Sequence, residues 1–296
     1  MRMRFHNRTA GSVALAVVLL LLPPVLSAQS LEDDGKGLIW YESVQGSWNV
    51  DGQVTRFDSI VGYNFNRYFG ADLGVPFLFV RTDTTTSGTT SANGIGNVYT
   101  DLRFTLRDPA VNFISTLTGA VPTGDSSKGF STGRATFDWS NHFDRGIGRL
   151  TPFGVLGFSN TVADTPYFVR PFTTLGLNTH LQGGTAYTLW RWVDFNASGY
   201  AVLPSGQQKV FSKLVNKQST AAAGKGAHNR GFETAPEQTG TAVVARDEGF
   251  NISLTASPSP FFDLTIGYTR SIHYALNTVS YGVGFNFGRY LQRIRH

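Results

Sequence analysis

The sequence of 296 residues contains no cysteine. Disulfide bonds, thiolate metal sites and lipid attachment to a cysteine are therefore excluded, and the fold has to be stabilised without covalent cross-links. Glycine and phenylalanine are abundant instead, with 33 and 23 residues. This composition is typical of a β-rich, turn-rich chain, and its length suits one domain rather than two.

Long apolar runs are also missing after residue 30, so the sequence offers no transmembrane helix there. The one apolar run, Val13 to Leu22, is short and is stopped by Pro23-Pro24. Three arginines precede it: Arg2, Arg4 and Arg8. With the small-x-small exit Ala28-Gln29-Ser30, this arrangement predicts a signal peptide over residues 1–30 and a mature domain over 31–296.

Without this leader, the sequence has almost no excess of basic over acidic residues. The formal net charge is +5, but the leader contributes three arginines and no acid, which leaves 22 basic against 20 acidic residues. A chain so close to neutral gives no reason to predict nucleic-acid binding.

The stretch Asn277 to Gly288 alternates strictly between two kinds of residue. One face is apolar or aromatic: Val279, Tyr281, Val283, Phe285 and Phe287. The other is small or polar: Ser280, Gly282, Gly284 and Asn286. A period of two predicts a strand, and an apolar face opposite a polar one is typical of a lipid-facing wall around a wet lumen.

The same alternation recurs along the chain and predicts about twelve strands, most clearly over Gly94–Arg107. Connections alternate between tight turns and longer loops, and aromatic residues gather beside the tight turns, as at Phe65, Phe69 and Trp190. These features favour an all-β, transmembrane antiparallel β-barrel of about 12 strands in a bacterial outer membrane.

Charged and histidine side chains fall on the predicted inner face of this barrel. We take eight of them as candidates for the lumen and the solute path: Arg56, Asp58, Asp101, Arg103, Arg107, Asp138, His142 and His180. They could form ion pairs that fix the strand register, or they could select among solutes at a constriction. The sequence alone leaves both interpretations open.

The segment 205–247 has no strand periodicity and is predicted as a long outer loop. It carries four of the chain's six lysines: Lys209, Lys213, Lys217 and Lys225. Gln207–Gln218 could form a basic amphipathic helix that contacts lipopolysaccharide phosphates at the outer rim. The alternative is a disordered loop.

The closing strand also resembles the carboxy-terminal recognition signal of outer-membrane β-barrels, which has a polar residue, a glycine and two spaced aromatics. Ser280, Gly282, Phe285 and Phe287 fill these places. The resemblance implies that the barrel-assembly machinery is a partner and that this strand closes the barrel against the first. The chain departs from the pattern by continuing for nine residues, GRYLQRIRH.

From about Gly94 the chain resembles the outer-membrane transporter family named for the meta-pathway of phenol degradation. The residues that carry the resemblance are Gly94-Ile95-Gly96-Asn97, Asp101-Leu102-Arg103-Phe104, Val121-Pro122-Thr123-Gly124-Asp125, Gly129, Thr132-Gly133 and Thr151-Pro152-Phe153-Gly154. The resemblance implies passive uptake of small solutes, aromatic or apolar ones among them. The segment 205–247 departs from the family pattern.

Two other functions stay open: a surface scaffold or adhesin that displays the 205–247 loop, and a barrel lipase. Ser140-Asn141-His142 suggests the lipase, but the alternation places Ser140 and His142 in the lumen and Asn141 on the opposite face, which does not suit a lipid-facing catalytic group. We predict no enzyme activity. The sequence shows no metal-ligand spacing and no phosphate-binding loop, so no cofactor and no metal are expected.

Overall fold

The computed structural model describes residues 36–82, 90–162, 164–165, 168–215, 232 and 235–295. Sixteen strands lie in these ranges, in chain order: β1 Gly37–Asn49, β2 Gly52–Asn64, β3 Phe69–Thr82, β4 Thr90–Ile95, β5 Val98–Leu106, β6 Asn112–Val121, β7 Thr136–Asp144, β8 Leu150–Ser159, β9 Phe172–Leu175, β10 Asn178–Trp190, β11 Val193–Pro204, β12 Gln207–Ser212, β13 Glu237–Thr241, β14 Asp247–Ser259, β15 Phe262–Ser271 and β16 Leu276–Asn286. Short 3-10 turns occupy Ser126–Lys128 and Ala242–Ala245, and helix α1 spans Phe287–Arg295. The predicted signal peptide lies outside the described residues.

Thirteen of these strands form one antiparallel sheet that closes on itself. The closing seam joins β16 to β1, with paired positions from Tyr41↔Asn286 to Trp48↔Val279. β4 pairs with residues 77–82 of β3, and β5 pairs with residues 69–74 of the same strand. β4 and β5 therefore act together as one wall strand that is interrupted at Gly96-Asn97. The wall is thus a closed barrel of 12 strands, and the predicted fold class is confirmed.

The two faces of the wall differ as the alternation predicts. Outward positions carry large apolar side chains that are well exposed, such as Leu102 at 54%, Ile266 at 58% and Val279 at 44%. Inward positions are mostly polar and buried, such as Ser43, Asn251 and Thr278. An apolar outer belt around a polar interior is the arrangement of a transmembrane barrel.

A glycine allows the closing seam to be tied by a side chain. Tyr281 lies across Gly46 of β1, and a Cβ at Gly46 would be 2.3 Å from the Tyr281 ring. Its hydroxyl reaches β2, 2.7 Å from Gln53 Nε2 and 2.8 Å from Thr55 Oγ1. One side chain of the last strand therefore contacts the first two strands of the chain.

The two rims of the barrel are built differently. Five short connections lie at the rim that also carries both ends of the described chain, at residues 65–68, 107–111, 145–149, 191–192 and 260–261. We call this the turn rim. The opposite loop rim carries the connections around 83–89, 122–135, 160–177 and 205–246, with two short ones at 50–51 and 272–275. The predicted alternation of tight and loose connections is confirmed, apart from the two short connections at the loop rim.

The other three strands form a small sheet in the order β13-β12-β9. We call this sheet, with the described residues of the two loops that carry it (160–177 and 205–246), the plug. Inward side chains of the wall, Val54, Leu78 and Val80, pack in one buried cluster with the loop residues Phe130, Val169 and Leu214. The plug therefore lies inside the barrel at the loop rim.

A second buried cluster holds the other side of the plug. It consists of Phe172, Val210, Phe232, Ala245, Tyr274 and Leu276, with the three rings 5.1–5.5 Å apart. Tyr274 donates a hydrogen bond of 2.9 Å to the Val244 carbonyl oxygen. The plug is thus packed against the wall on two sides.

Four details of the sequence-based prediction are wrong. The helix predicted over Gln207–Gln218 is not found in the described part of that segment, because Gln207–Ser212 is strand β12 and pairs with β9 and β13. The predicted single strand Phe172–Leu189 is broken at Gly176-Leu177, and β9 belongs to the plug. The strand predicted over Gly94–Arg107 is interrupted at Gly96-Asn97. The last strand ends at Asn286, and Phe287 begins helix α1.

No helix within the described ranges is both long enough and apolar enough to cross a bilayer.

Candidate functional site

A cavity of about 360 Å³ lies between the plug and one side of the wall. The wall contributes residues from β2, β3, β5, β6 and β7, and the plug contributes Thr161, Val162, Asp164, Thr173 and Lys213. The volume falls within the range of small-molecule pockets in proteins. The cavity is therefore large enough for a small organic solute.

One part of the lining is apolar. Pro76 and Leu78 of β3 lie there with Phe130 of the loop after β6, Val162 of the plug and Ala120 of β6. These residues could contact the ring or alkyl part of a solute, whereas the remaining lining residues are mostly polar or charged.

A chain of charged groups joins the wall to the plug at the cavity. Arg56 of β2 makes an ion pair with Asp58, and its Nη1 is 3.8 Å from Asp164 Oδ2 of the plug. Asp164 Oδ2 is also 3.7 Å from Lys213 Nζ. Tyr99 lies against the same group, since its hydroxyl donates to Asp58 Oδ2 over 3.0 Å. Asp164 therefore bridges a cation of the wall and a cation of the plug.

Lys213 is a cation of the plug whose side chain is only 4% exposed. Its ammonium donates a hydrogen bond of 3.0 Å to the Arg170 carbonyl oxygen. Burial lowers the pKa of this ammonium, because the charged form loses its hydration, and Asp164 only partly offsets the loss.

Two carboxylates face each other on the same side of the wall, closer to the turn rim. Asp72 of β3 and Asp101 of β5 are paired directly across the two strands. Arg103 Nη1 lies 3.5 Å from Asp72 Oδ2, and Thr118 Oγ1 donates to Asp101 Oδ1 over 2.5 Å. Neighbouring acids inside a sheet are unfavourable without such partners, so Arg103 and Thr118 are needed to hold this pair.

Asp138 of β7 and His180 of β10 form another contact at the cavity. His180 Nε2 is 3.1 Å from Asp138 Oδ2. The imidazole lies over Gly157 of β8, where a Cβ would be 1.9 Å from Nε2. Only glycine at this position leaves room for the ring, so Gly157 fixes the place of His180.

The plug is also tied to the opposite side of the wall. Arg170 Nη2 lies 3.5 Å from Asp247 Oδ2, and both side chains are almost completely buried. Asp247 also accepts hydrogen bonds from Ser271 Oγ at 2.6 Å and from the Tyr200 hydroxyl at 3.2 Å. The Val169 amide donates to Ser47 Oγ of β1 over 2.8 Å. These polar contacts fix the orientation of the plug more closely than its apolar clusters alone would.

The structure brings some of the eight sequence-predicted lumen residues to the cavity and not others. Arg56, Asp101 and Asp138 line it, while Asp58 and His180 contact lining residues. Arg103 lies one step away, beside Asp72. The role of these residues in a solute path stays a prediction.

His142 and Arg107 lie elsewhere. His142 Nε2 is 3.4 Å from Asp144 Oδ2, below the cavity and towards the turn rim. Arg107 is exposed in the turn after β5, because the strand ends at Leu106, one residue before it. Ser140 and His142 share the inner face of β7, whereas Asn141 lies on the opposite face, where it contacts the Leu156 carbonyl oxygen.

The sequence-based reasoning did not single out Asp164, Arg170 or the inward position of Lys213. All three lie in segments without strand periodicity, so alternation could not assign them a face. The apolar residues Val210, Phe211 and Leu214 beside Lys213 were the available indication, because a water-exposed loop has no need of them. Within the described ranges, no group of acidic and histidine residues is suited to hold a metal ion.

Comparison with known proteins supports the fold class. The chain resembles an outer membrane channel from Pseudomonas putida F1, with 12% identity, a TM-score of 0.54, and coverage of 90% of this chain and 99% of that one. It also resembles the NanC porin at 9% identity and a TM-score of 0.46, covering 82% and 98%, and the KdgM porin at 8% and 0.47, covering 83% and 98%. No family model and no curated protein sequence matches the chain.

The fold corresponds to that of the Pseudomonas putida channel, a β-barrel of the outer-membrane type. Identities this low establish likeness of fold only. The resemblance to the phenol meta-pathway family is not confirmed by these comparisons and remains a prediction.

Proposed function

We propose that this protein is a channel of a bacterial outer membrane that lets small solutes pass down their concentration gradients. The observation that carries the proposal is the cavity of about 360 Å³ inside a closed barrel whose outer belt is apolar. An apolar belt suits lipid, and a charged cavity in the lumen suits a selective path. The structural likeness to an outer-membrane channel supports it at the level of fold.

The plug limits this path. Its side chains fill the lumen at the loop rim, so a solute that enters the cavity from that rim has to pass beside the plug or displace it. We therefore expect a narrow channel whose conductance depends on the position of the plug.

The charges of the cavity favour neutral and cationic solutes over anions. Its lining contains two cations, Arg56 and Lys213, and three acids, Asp101, Asp138 and Asp164. The formal balance is −1, in a site partly shielded from water, where charge acts more strongly than in bulk solvent. The apolar lining beside these charges and the family resemblance together support aromatic or apolar solutes.

The experiment uses two aromatic ions that cannot cross lipid by themselves: phenyltrimethylammonium and benzenesulfonate. Reversal potentials across a planar bilayer that contains the mature protein report their relative permeability. We expect phenyltrimethylammonium to permeate faster. Equal permeability of both ions would contradict the proposed selectivity, and the absence of any current would contradict the channel.

A pair of variants locates the selectivity. Asp101→Asn removes an acid from the cavity and should reduce the preference for the cation. Asp108→Asn removes an acid from the exposed turn after β5 and should leave the preference unchanged.

The scaffold alternative requires the 205–247 segment to be displayed outside the barrel. Its described parts instead pack into the lumen, and Lys213 is buried there. Lys209 is half exposed and pairs with Glu237 at 2.7 Å, while Lys217 and Lys225 lie outside the described residues. Contact of Lys209 with lipopolysaccharide remains a prediction, and Lys213 is not available for it.

A further inference from the structure

The turn rim carries an unusual concentration of positive charge. Its connections, residue 36 and helix α1 contain nine cations and a single acid, Asp108. The cations are Lys36, Arg67, Arg107, Arg145, Arg149, Arg191, Arg289, Arg293 and Arg295. We call the seven arginines from Arg67 to Arg293 the arginine collar.

The loop rim is different. Its described segments and the plug contain six cations and four acids, in mixed order: Lys128, Arg134, Arg170, Lys209, Lys213 and Arg246, against Asp51, Asp125, Asp164 and Glu237. The chain beyond the leader is nearly neutral, so the charge of the turn rim is a matter of placement and not of composition.

The collar follows the barrel around its circumference. Four of the five turns contain at least one of its arginines, and α1 adds the remainder beside the fifth turn, where Arg289 Nη1 donates to the Pro260 carbonyl oxygen over 3.4 Å. Arg67, Arg107, Arg145, Arg149, Arg191 and Arg293 are exposed. A partner that meets all of them has to surround the barrel.

Exposed aromatic residues occupy the same rim. Phe65 is 55% exposed, Phe69 53% and Trp190 64%. Two collar arginines lie on rings of the rim: the Arg67 guanidinium is 4.6 Å from the Tyr68 ring centre, and that of Arg293 is 5.9 Å from the Phe261 ring centre. Aromatic rings with cations above them are typical of the boundary between lipid tails and headgroups.

Helix α1 shows the same two chemistries along one element. Phe287, Tyr290, Leu291 and Ile294 recur at helical spacing, and Ile294 is 64% exposed. Phe287 stacks on outward-facing Trp40 at 4.8 Å, so the apolar side of α1 continues the lipid-facing belt. No acidic residue occurs in α1. A short basic amphipathic helix at the edge of an apolar belt fits a membrane surface.

We propose that the arginine collar binds the phosphates of anionic phospholipids in the leaflet that faces the periplasm. The inference rests on the proposed outer-membrane location, in which short turns face the periplasm and that leaflet consists of phospholipid. A bilayer, unlike a globular partner, surrounds the barrel as the collar does. Guanidinium groups also match phosphate oxygens in geometry as well as in charge.

The test measures lipid retention by the full mature protein in mild detergent, using native mass spectrometry. Dimyristoyl phosphatidylglycerol and dimyristoyl phosphatidylcholine are compared, since both contain phosphate and only the first has net negative charge. We expect wild type to retain several phosphatidylglycerol molecules and fewer phosphatidylcholine molecules. Equal retention of the two lipids would overturn the proposal.

Two collar variants test the site. Arg289→Gln/Arg293→Gln should weaken phosphatidylglycerol binding about tenfold or more, as expected for two cations removed from an anionic surface. Because that variant could impair assembly, Arg145→Gln/Arg149→Gln provides a second one in an exposed turn away from α1, with an expected weakening of about tenfold or more. Unchanged binding by the second variant, once folded, would overturn the collar as a whole.

The matched control is Lys128→Gln/Arg134→Gln, which removes two cations from the loop rim and should retain phosphatidylglycerol as wild type does. Lipopolysaccharide added as a competitor distinguishes the other source of phosphate. If it displaces phosphatidylglycerol from the collar, the collar does not select phospholipid and the proposal fails. Conductance is recorded separately, so loss of the channel and loss of lipid binding are distinguishable.

Discussion

The wall of the barrel and the plug inside it are held by different kinds of interaction. β1 alone has thirteen paired positions with β2 and eight with β16, whereas β12 has five with β13 and four with β9. The plug depends instead on two apolar clusters and on side-chain contacts such as Arg170–Asp247. Backbone ladders are interrupted only at high cost in lipid, so we expect the plug to be displaced more readily than any strand of the wall.

Removal of Gln207–Ala245 from the plug should have the largest effect on conductance and little on the wall. Val202 of β11 pairs with Asp247 of β14, so an Asn-Gly turn can replace Gln207–Ala245. We expect a folded barrel with severalfold higher single-channel conductance, because β12 and β13, two of the three plug strands, are then absent from the lumen at the loop rim.

A smaller deletion is the control for this experiment. Removing residues 218–228 keeps β12, β13 and Phe232, and conductance should stay at the wild-type level. Equal conductance of the full replacement and the wild type would show that the plug does not limit the path.

A change in the wall should have the opposite effect, on stability and not on conductance. Gly46→Val places side-chain atoms where the Tyr281 ring lies, and overpacking of this kind costs about 3 kcal/mol. Gly119→Val is the control, because a Cβ there meets nothing within 4 Å. Heat-modifiable migration should show a lower unfolding temperature for Gly46→Val only, and similar shifts in both variants would contradict the seam contact.

Loss of one buried ion pair should loosen the plug without affecting the wall. Arg170→Met leaves Asp247, which is 1% exposed, without its cation, and an unpaired buried charge costs about 3 kcal/mol or more. We expect longer open dwell times in single-channel records and an unchanged unfolding temperature. Arg246→Met breaks the exposed pair with Glu248 and should change neither quantity by much. If both variants gate identically, the Arg170–Asp247 ion pair does not hold the plug closed.

The smallest expected effect is a pH dependence of plug closure. Burial lowers the pKa of Lys213 in the closed plug, so the closed state binds fewer protons than an open state in which the ammonium is hydrated. Closure should therefore become more favourable as pH rises through the range between the lowered pKa and the ordinary value of 10.5. Open probability should fall over that range in wild type and in Lys209→Met, and stay flat in Lys213→Met. A wild-type slope in Lys213→Met would assign the dependence to another group.

The wall could be predicted from the sequence because its pattern is periodic. Residues such as Leu102 and Asp101 had to face opposite sides once the strand was recognised, and the tight turns followed from the strand ends. The interruption at Gly96-Asn97 was not predictable in this way, since the alternation continues through it.

The plug could not be predicted because no period specifies it. Val210 and Lys213 also fit a helical spacing, and pairing with Phe172–Leu175 and Glu237–Thr241, both distant in the sequence, makes Gln207–Ser212 a strand. The lining of the cavity could be predicted only in part for the same reason. Alternation identifies Arg56 and Asp101 as inward-facing, whereas the position of Asp164 depends on how its loop folds.

Helix α1 affects the register in which the last strand pairs with the first. A period-two pattern cannot distinguish the correct β16–β1 pairing from one displaced by two residues, because both keep every side chain on its proper face. Such a slip of about 6.6 Å would move Phe287 off Trp40. It would also separate Gly288 from the Leu38 carbonyl oxygen, which lies so close that a Cβ at Gly288 would be only 2.6 Å from it. Helix α1, which follows the last strand, thus favours the one register in which these contacts form and the barrel closes with twelve strands.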